Sequence, residues 1–176
     1  KEITVKCGQK CTAIRRIMVP ENLVEDVQIA VGQRLEKTTI GSPMAEGVRM
    51  GALAGQDQMR EVKEQVELLL KESEIVFGNL NQVEAVGADG SIGAFMSPIL
   101  MRNNDPFNNS AVHNVEAFGP VSTILPYKTL DEAVALTKLG LGSLCASIVT
   151  NDESTARDFA LGAASYHGRV LVLNGE

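Results

Sequence analysis

The chain has 176 residues, enough for one domain with a core of its own and too few for two of full size. Its 16 Lys and Arg against 22 Asp and Glu leave a formal charge of −6, which argues against a nucleic-acid or membrane-surface partner, since both select clustered positive charge. At 44% hydrophobic and 22% charged the composition is that of a globular chain; no apolar run approaches the ~20 residues of a membrane span, and the opening residues carry no signal-peptide pattern.

Residues 12–19, with Ile14, Ile17, Met18 and Val19, read as a strand closed by Pro20. Asn22 with Glu25 three positions on has the pattern of a capping box, opening a helix whose apolar positions are Leu23, Val24, Val27, Ala30, Val31 and Leu35. Residues 38–55 are rich in glycine and small residues and read mostly as loop. Met59, Val62, Val66, Leu69 and Leu70 mark a second amphipathic helix, followed by a short strand at Glu74–Phe77. Asp89-Gly90, between 83–86 and 92–95, predicts a hairpin turn.

In the second half, 97–101 and Val121–Tyr127 read as strands. Thr129 with Glu132 repeats the capping-box pattern ahead of Ala133, Val134, Leu136 and Thr137. Residues 144–150 form the next strand, Ala156, Phe159, Ala160 and Ala163 line one face of a helix, and Gly168 stands where a C′ glycine ends it before the strand 169–173. Strands alternating with helices predict an α/β layer architecture with substantially parallel pairing, in one domain spanning 1–176. The chain opens on Lys1, and its last apolar run stops just short of the terminus. It therefore reads as part of a longer polypeptide.

Three cysteines, Cys7, Cys11 and Cys145, suit a reducing cytoplasm and exclude a disulfide scaffold. Cys11 lies where a polar turn meets an apolar segment, and converging backbone N–H groups at a turn stabilise charge on sulfur and on a nearby oxyanion. On the residues alone it is either a nucleophile or, like Cys7, a small buried thiol. A zinc set from Cys7, Cys11, His113 and His167 lacks the close-spaced ligand pairs of structural sites, so no metal is expected. Cys145 reads as inert core, His167 as a charge at a helix C-terminus, and the Gly140-x-Gly142 and Gly87-x-x-Gly90-x-x-Gly93 spacings as turns.

Gly8-Gln9-Lys10-Cys11-Thr12-Ala13-Ile14-Arg15-Arg16 resembles the nucleophile segment of the aldehyde dehydrogenase superfamily. About a hundred residues later, Glu116-Ala117-Phe118-Gly119-Pro120 is similar to that superfamily's Glu-x-Phe-Gly-Pro segment. The stretches 111–121 and 167–174 resemble most the aldehyde dehydrogenase domain of bifunctional phenylacetate-degradation enzymes, which pair it with a hydratase-type domain. The resemblance implies most of an α/β catalytic domain, three-layered with a largely parallel sheet flanked by helices. The upstream cofactor-binding domain and the downstream tail then lie outside these residues.

It further implies that Cys11 is the nucleophile, that Glu116 accepts hydrogen bonds from the nicotinamide ribose hydroxyls, and that Phe118 packs beside that ribose. The implied cofactor is NADP or NAD, the substrate a CoA-linked aldehyde, and the parent a homo-oligomer. In the family a base Glu and an oxyanion Asn lie upstream of the nucleophile, and Glu2 stands in no matching motif. The chain alone is therefore expected to bind no cofactor and to be inactive as a dehydrogenase. The alternatives are a dehydrogenase for another aldehyde and a silent assembly domain of the same fold.

Overall fold

The computed structural model describes residues 1–175, and the chain divides into two compact units, Lys1–Pro126 and the residues from Tyr127 on. The first is built on a four-stranded sheet of β1 (Arg16–Pro20), β2 (Glu74–Phe77), β3 (Ile99–Arg102) and β4 (Val121–Tyr127), ordered β1-β4-β3-β2. β3 and β4 are parallel, with Ile99 opposite Val121, and β2 lies antiparallel on β3, with Glu74 opposite Arg102. Strands covered on both faces read as apolar runs rather than alternations. That is the pattern of the two central strands, where Ile99, Leu100, Met101, Ile124 and Leu125 are wholly buried. Pro20 ends β1 at the sheet edge, where a missing N–H costs no ladder bond.

The helices of this unit are α1 (Val24–Glu36), α2 (Gln56–Leu69) and the single turn α3 (Ala111–Asn114). Val24 and Leu35 of α1 join Ile3, Val19, Leu100 and Ile124 in the core, with Ile17, Val27, Val31, Val76 and Phe77 packed around them. α2 buries Val62, Val66 and Leu69, one face of a 3.6-residue period, and leaves an Arg60–Asp57 ion pair outside. A buried amide sets the path from β3 into α3. Asn103 donates to the Glu72 carbonyl (2.8 Å) and accepts from the Asp105 N–H (3.0 Å), while the Glu72 carboxylate accepts from the Ala111 N–H (2.8 Å).

The second unit holds α4 (Leu130–Leu139), β5 (Ala146–Val149), α5 (Glu153–Ala163) and β6 (Val170–Leu173). β5 and β6 pair in parallel, with Ala146 opposite Val170. The α4 cap expected from Thr129 forms: its hydroxyl accepts from the Glu132 N–H (3.2 Å), and the Glu132 carboxylate reaches back to the Lys128 N–H (2.6 Å). α4 and α5 meet closely at Gly162, where a Cβ would stand 2.9 Å from Val134. Among the described residues no helix is long and apolar enough to cross a membrane.

Three local expectations fail, each for a physical reason. The Asn22 capping box does not form, because Pro20 leads into a 3-10 turn at Glu21–Leu23 that makes Leu23 the cap residue; Glu25 pairs with Arg102 instead. Asp89-Gly90 is no hairpin. Val86 is taken by residues 40–42 through bonds to Ile40 and Ser42, and the Asp89 carboxylate accepts from the Ser91 N–H (2.8 Å), closing a local turn. Gly168 does not cap α5, which runs into a 3-10 turn at Ala164–Tyr166. The glycine serves a close approach, its absent Cβ falling 3.0 Å from the Leu144 carbonyl oxygen.

Asp152 caps α5, accepting from the Ser154 and Thr155 N–H groups and hydroxyls, and these bonds lower its carboxyl to about 2. A carboxyl depressed in the folded state stabilises it above its ordinary value, and that contribution is lost as pH falls toward 2. D152N keeps an acceptor without the charge. The melting-temperature gap between wild type and D152N is expected to be present near pH ~6 and to close near pH ~2; a gap independent of pH would refute the assignment.

Candidate active site

The segment ahead of Cys11 begins with a 3-10 turn, Val5–Gly8, in which Lys6, Cys7 and Gly8 all have positive φ (53°, 54° and 70°). A left-handed conformation costs an L-residue about 1–2 kcal/mol, so Lys6 and Cys7 are held there by their surroundings. Cys7 is buried and donates its N–H to the Thr4 carbonyl, and the Gln9 N–H closes on the Lys6 carbonyl, both at 3.0 Å. The Gln9 side chain then anchors the turn to the loop 38–55, accepting from the Ala54 N–H (2.8 Å). Gly8 admits no other residue: a Cβ there would lie 2.0 Å from the Gly119 carbonyl oxygen.

Cys11 occupies a turn closed by the Ala13 N–H on the Lys10 carbonyl (2.9 Å) and is exposed. Cys7, four residues earlier, is sealed in, and desolvation pushes its thiol up to about 12. Cys145 lies just ahead of β5 and is half-buried rather than core; all three thiols are free. The carboxylate that precedes Cys11, Glu2, is ion-paired with Lys10, which holds it below its usual value and leaves it a weak base.

The second motif alternates. Two short-range bonds, Gly119 N–H to the Ala117 carbonyl (2.7 Å) and Val121 N–H to the Gly119 carbonyl (2.8 Å), fold it so that Glu116 and Phe118 face out while Ala117, Gly119 and Pro120 are buried. The Glu116 side chain is 60% exposed and Phe118 37%.

The structure brings the two motifs together along a seam of side-by-side backbone. Gly8 abuts Gly119, and Gly119 in turn lies against Val62 of α2, where a Cβ would be 2.9 Å from the valine methyls. The Thr123 N–H donates to the Arg15 carbonyl (2.9 Å), and the Ser122 hydroxyl to the Ile14 carbonyl. Side chains add two links, Arg15 to Glu116 (3.5 Å) and Arg16 to the Nδ1 of His113 (3.0 Å). Of these residues, sequence reading singled out Cys11, Glu116 and Phe118 and missed the roles of Gly8, Arg15, Arg16, His113 and Gly119. A pair of arginines opening an otherwise apolar strand was the one signal that could have prompted a search for partners.

Residues 1–169 match the aldehyde dehydrogenase family. The chain is 40% identical over 174 residues, 99% of its own length and 34% of the other's, to the 3,4-dehydroadipyl-CoA semialdehyde dehydrogenase of Aromatoleum evansii. It is also 40% identical over 126 residues, 71% of its length and 36% of the other's, to Protein MaoC of Klebsiella aerogenes. Among solved structures, betaine aldehyde dehydrogenase from Staphylococcus aureus in complex with NAD+ matches 99% of this chain and 34% of its own, with a TM-score of 0.87 at 22% identity. The chain thus has the fold of that structure, and it spans about a third of the length of the curated relatives it matches.

Two outcomes follow from the geometry. Limited iodoacetamide treatment of the folded chain, read by peptide mapping, should modify Cys11 first and leave Cys7 unlabelled until denaturant is added; early labelling of Cys7 would contradict its burial. Gly8→Ala should destabilise the first unit by more than the ~1 kcal/mol of an ordinary glycine replacement, because it forces Gly119 away, and chemical denaturation measures the loss.

Proposed function

The chain belongs to the aldehyde dehydrogenase family, and on that premise we propose that residues 1–176 are most of the catalytic domain of an enzyme that oxidises a CoA-linked semialdehyde to the acid. Cys11 is the nucleophile, and Glu116 and Phe118 seat the nicotinamide ribose of NADP or NAD. The observation that supports this reading is the seam joining the segments on either side of Cys11, at Gly8 and at Arg15, to the motif that holds the outward-facing Glu116 and Phe118. The CoA-linked substrate is supported by the Aromatoleum relative, whose similarity runs through nearly all of the chain. Phenylacetate degradation in the cytoplasm, a hydratase-type domain in the same parent chain and a homo-oligomeric parent are proposed on the resemblance of 111–121 and 167–174.

In this mechanism the Cys11 thiolate adds to the aldehyde carbon and forms a thiohemiacetal, a step that needs the sulfur exposed and Cys7 out of reach. A nicotinamide cofactor held at Glu116 and Phe118 would supply the acceptor for the hydride lost by the thiohemiacetal carbon as the Cys11 thioester forms. Water then splits the thioester, releasing the acid and returning the thiol. Glu116 accepts hydrogen bonds from the ribose hydroxyls, and Phe118 packs beside the ring and keeps water from that side. The resemblance assigns the base for the thiol and for water to a Glu upstream of the nucleophile, and Glu2, held by Lys10, is not offered for that role.

Cys11→Ala in the full-length protein should lower the rate of NADPH formation by roughly a thousandfold or more. Glu116→Gln should act mainly through the cofactor, raising its KM by about tenfold with a smaller change in kcat. In a parent that also opens oxepin-CoA, that second activity should survive Cys11→Ala. Near-normal NADPH formation by a folded Cys11→Ala protein would overturn the nucleophile assignment.

A further inference from the structure

We infer that His113 is a positioning residue: its imidazole, locked between Pro106 and Arg16, fixes the start of β1 against α3 and so sets where the Cys11 turn stands relative to Glu116. His113 is only 6% exposed. Its Nε2 lies 2.6 Å from the Pro106 carbonyl oxygen, which can only accept, so Nε2 carries the proton. Its Nδ1 lies 3.0 Å from Arg16 Nη1, which can only donate, so Nδ1 offers a lone pair. Together the two neighbours select the neutral Nε2–H tautomer, and it is the Arg16 donor facing Nδ1 that opposes a second proton on the ring.

The position of this ring in the chain gives it leverage. Arg16 follows Cys11 by five residues, and Arg15 beside it reaches Glu116; His113 precedes Glu116 by three. A residue bridging Arg16 and α3 therefore ties together the segments that carry both site residues, over 97 positions of sequence. The charged groups acting on the ring are Arg16 and Arg15 from β1 and its approach, and Glu72 from the turn ahead of β2. α2, which packs on α3, turns the apolar Val62, Val66 and Leu69 inward.

Burial, Arg16 and Arg15 push the His113 pKa down, outweighing the Pro106 carbonyl and Glu72. An unfolded histidine takes up a proton at its ordinary value of 6.5 while the folded one resists, so acid favours opening of the seam. As pH falls below that value, residues 8–16 and 115–120 should lose protection together. The dehydrogenase reading enters only at the last readout, where a loosened seam should weaken cofactor binding more than turnover.

The test uses the chain with ¹⁵N-labelled histidine, with H113Q and H113L. Imidazole ¹⁵N shifts, assigned by the signal missing in H113Q, should show an Nε2–H tautomer that stays neutral below the ordinary histidine range; an Nδ1–H or protonated ring at neutral pH overturns the inference. Hydrogen-exchange protection factors of 8–16 and 115–120 should drop by about tenfold or more on acidification in wild type. H113Q, whose amide offers one donor and one acceptor without titrating, should lose that pH dependence, whereas H113L should lose protection at every pH. If H113L fails to fold, wild type and H113Q decide alone, and identical pH dependence in the two overturns the inference. In the full-length protein the KM for the nicotinamide cofactor should rise with acid in wild type and not in H113Q. Confirmed tautomer and exchange results with no dehydrogenase activity in wild type would refute the proposed function and leave the positioning role standing.

Discussion

Two backbones meet at Gly8 and Gly119 with no room between them for a methyl group, and the rest of the site follows from that approach. Because β1 and β4 are neighbours in the sheet, the stretches leading into them run side by side, and every residue of interest lies on one or the other. Glycine on both sides lets the stretches touch through backbone rather than side chains. On its far side Gly119 rests on Val62 of α2, so the seam is pressed from beneath by a helix whose buried face is wholly apolar. Turn, second motif and helix thus form three tiers, and a change in any one displaces the others.

This closeness has a conformational cost. Lys6 and Cys7 sit in a left-handed conformation that disfavours both, so that Gly8 arrives at Gly119 in the right orientation. Burial of Cys7 offsets part of that cost and disposes of a competing thiol in the same step. Two cysteines four residues apart acquire opposite chemistry from one turn: Cys7 is desolvated and protonated, Cys11 open to reagents. Two of the buried polar side chains among the described residues are neutral hubs. Asn103 and His113 are both fully hydrogen-bonded without carrying charge, which avoids the several kcal/mol that an unpaired buried ion costs.

Elements whose pattern is set within a few residues were legible. α2 announces itself through Val62, Val66 and Leu69, β2 and β4 were delimited to the residue, and Thr129 caps α4 because its partner is three positions away. Each failure has a competitor that the local pattern did not show. Asn22 lost its cap to a turn imposed by Pro20, with Glu25 drawn to Arg102; Val86 left its hairpin for Ile40 and Ser42; Gly168 answers to the Leu144 carbonyl. The candidate site divides in the same way. Cys11, Glu116 and Phe118 stand in short motifs, whereas the Arg16–His113 bond joins residues that share no local pattern.

The two side-chain links across the seam differ in strength, and the difference assigns them different tasks. Arg15 and Glu116 meet at 3.5 Å with the carboxylate largely in water, a geometry worth about 0–1 kcal/mol and weakened further by salt. Such a pair cannot hold the segments together. His113 is buried and Arg16 half-buried, and in such a setting losing one partner of a charge-assisted bond costs about 1.5–3 kcal/mol. Arg16 also feels that burial directly, desolvation and the adjacent Arg15 lowering its pKa to about 10. The more sheltered bond therefore maintains the frame and the exposed pair adds little to it, so the position of the Cys11 turn rests on the Gly8–Gly119 contact and the Arg16–His113 bond rather than on Arg15.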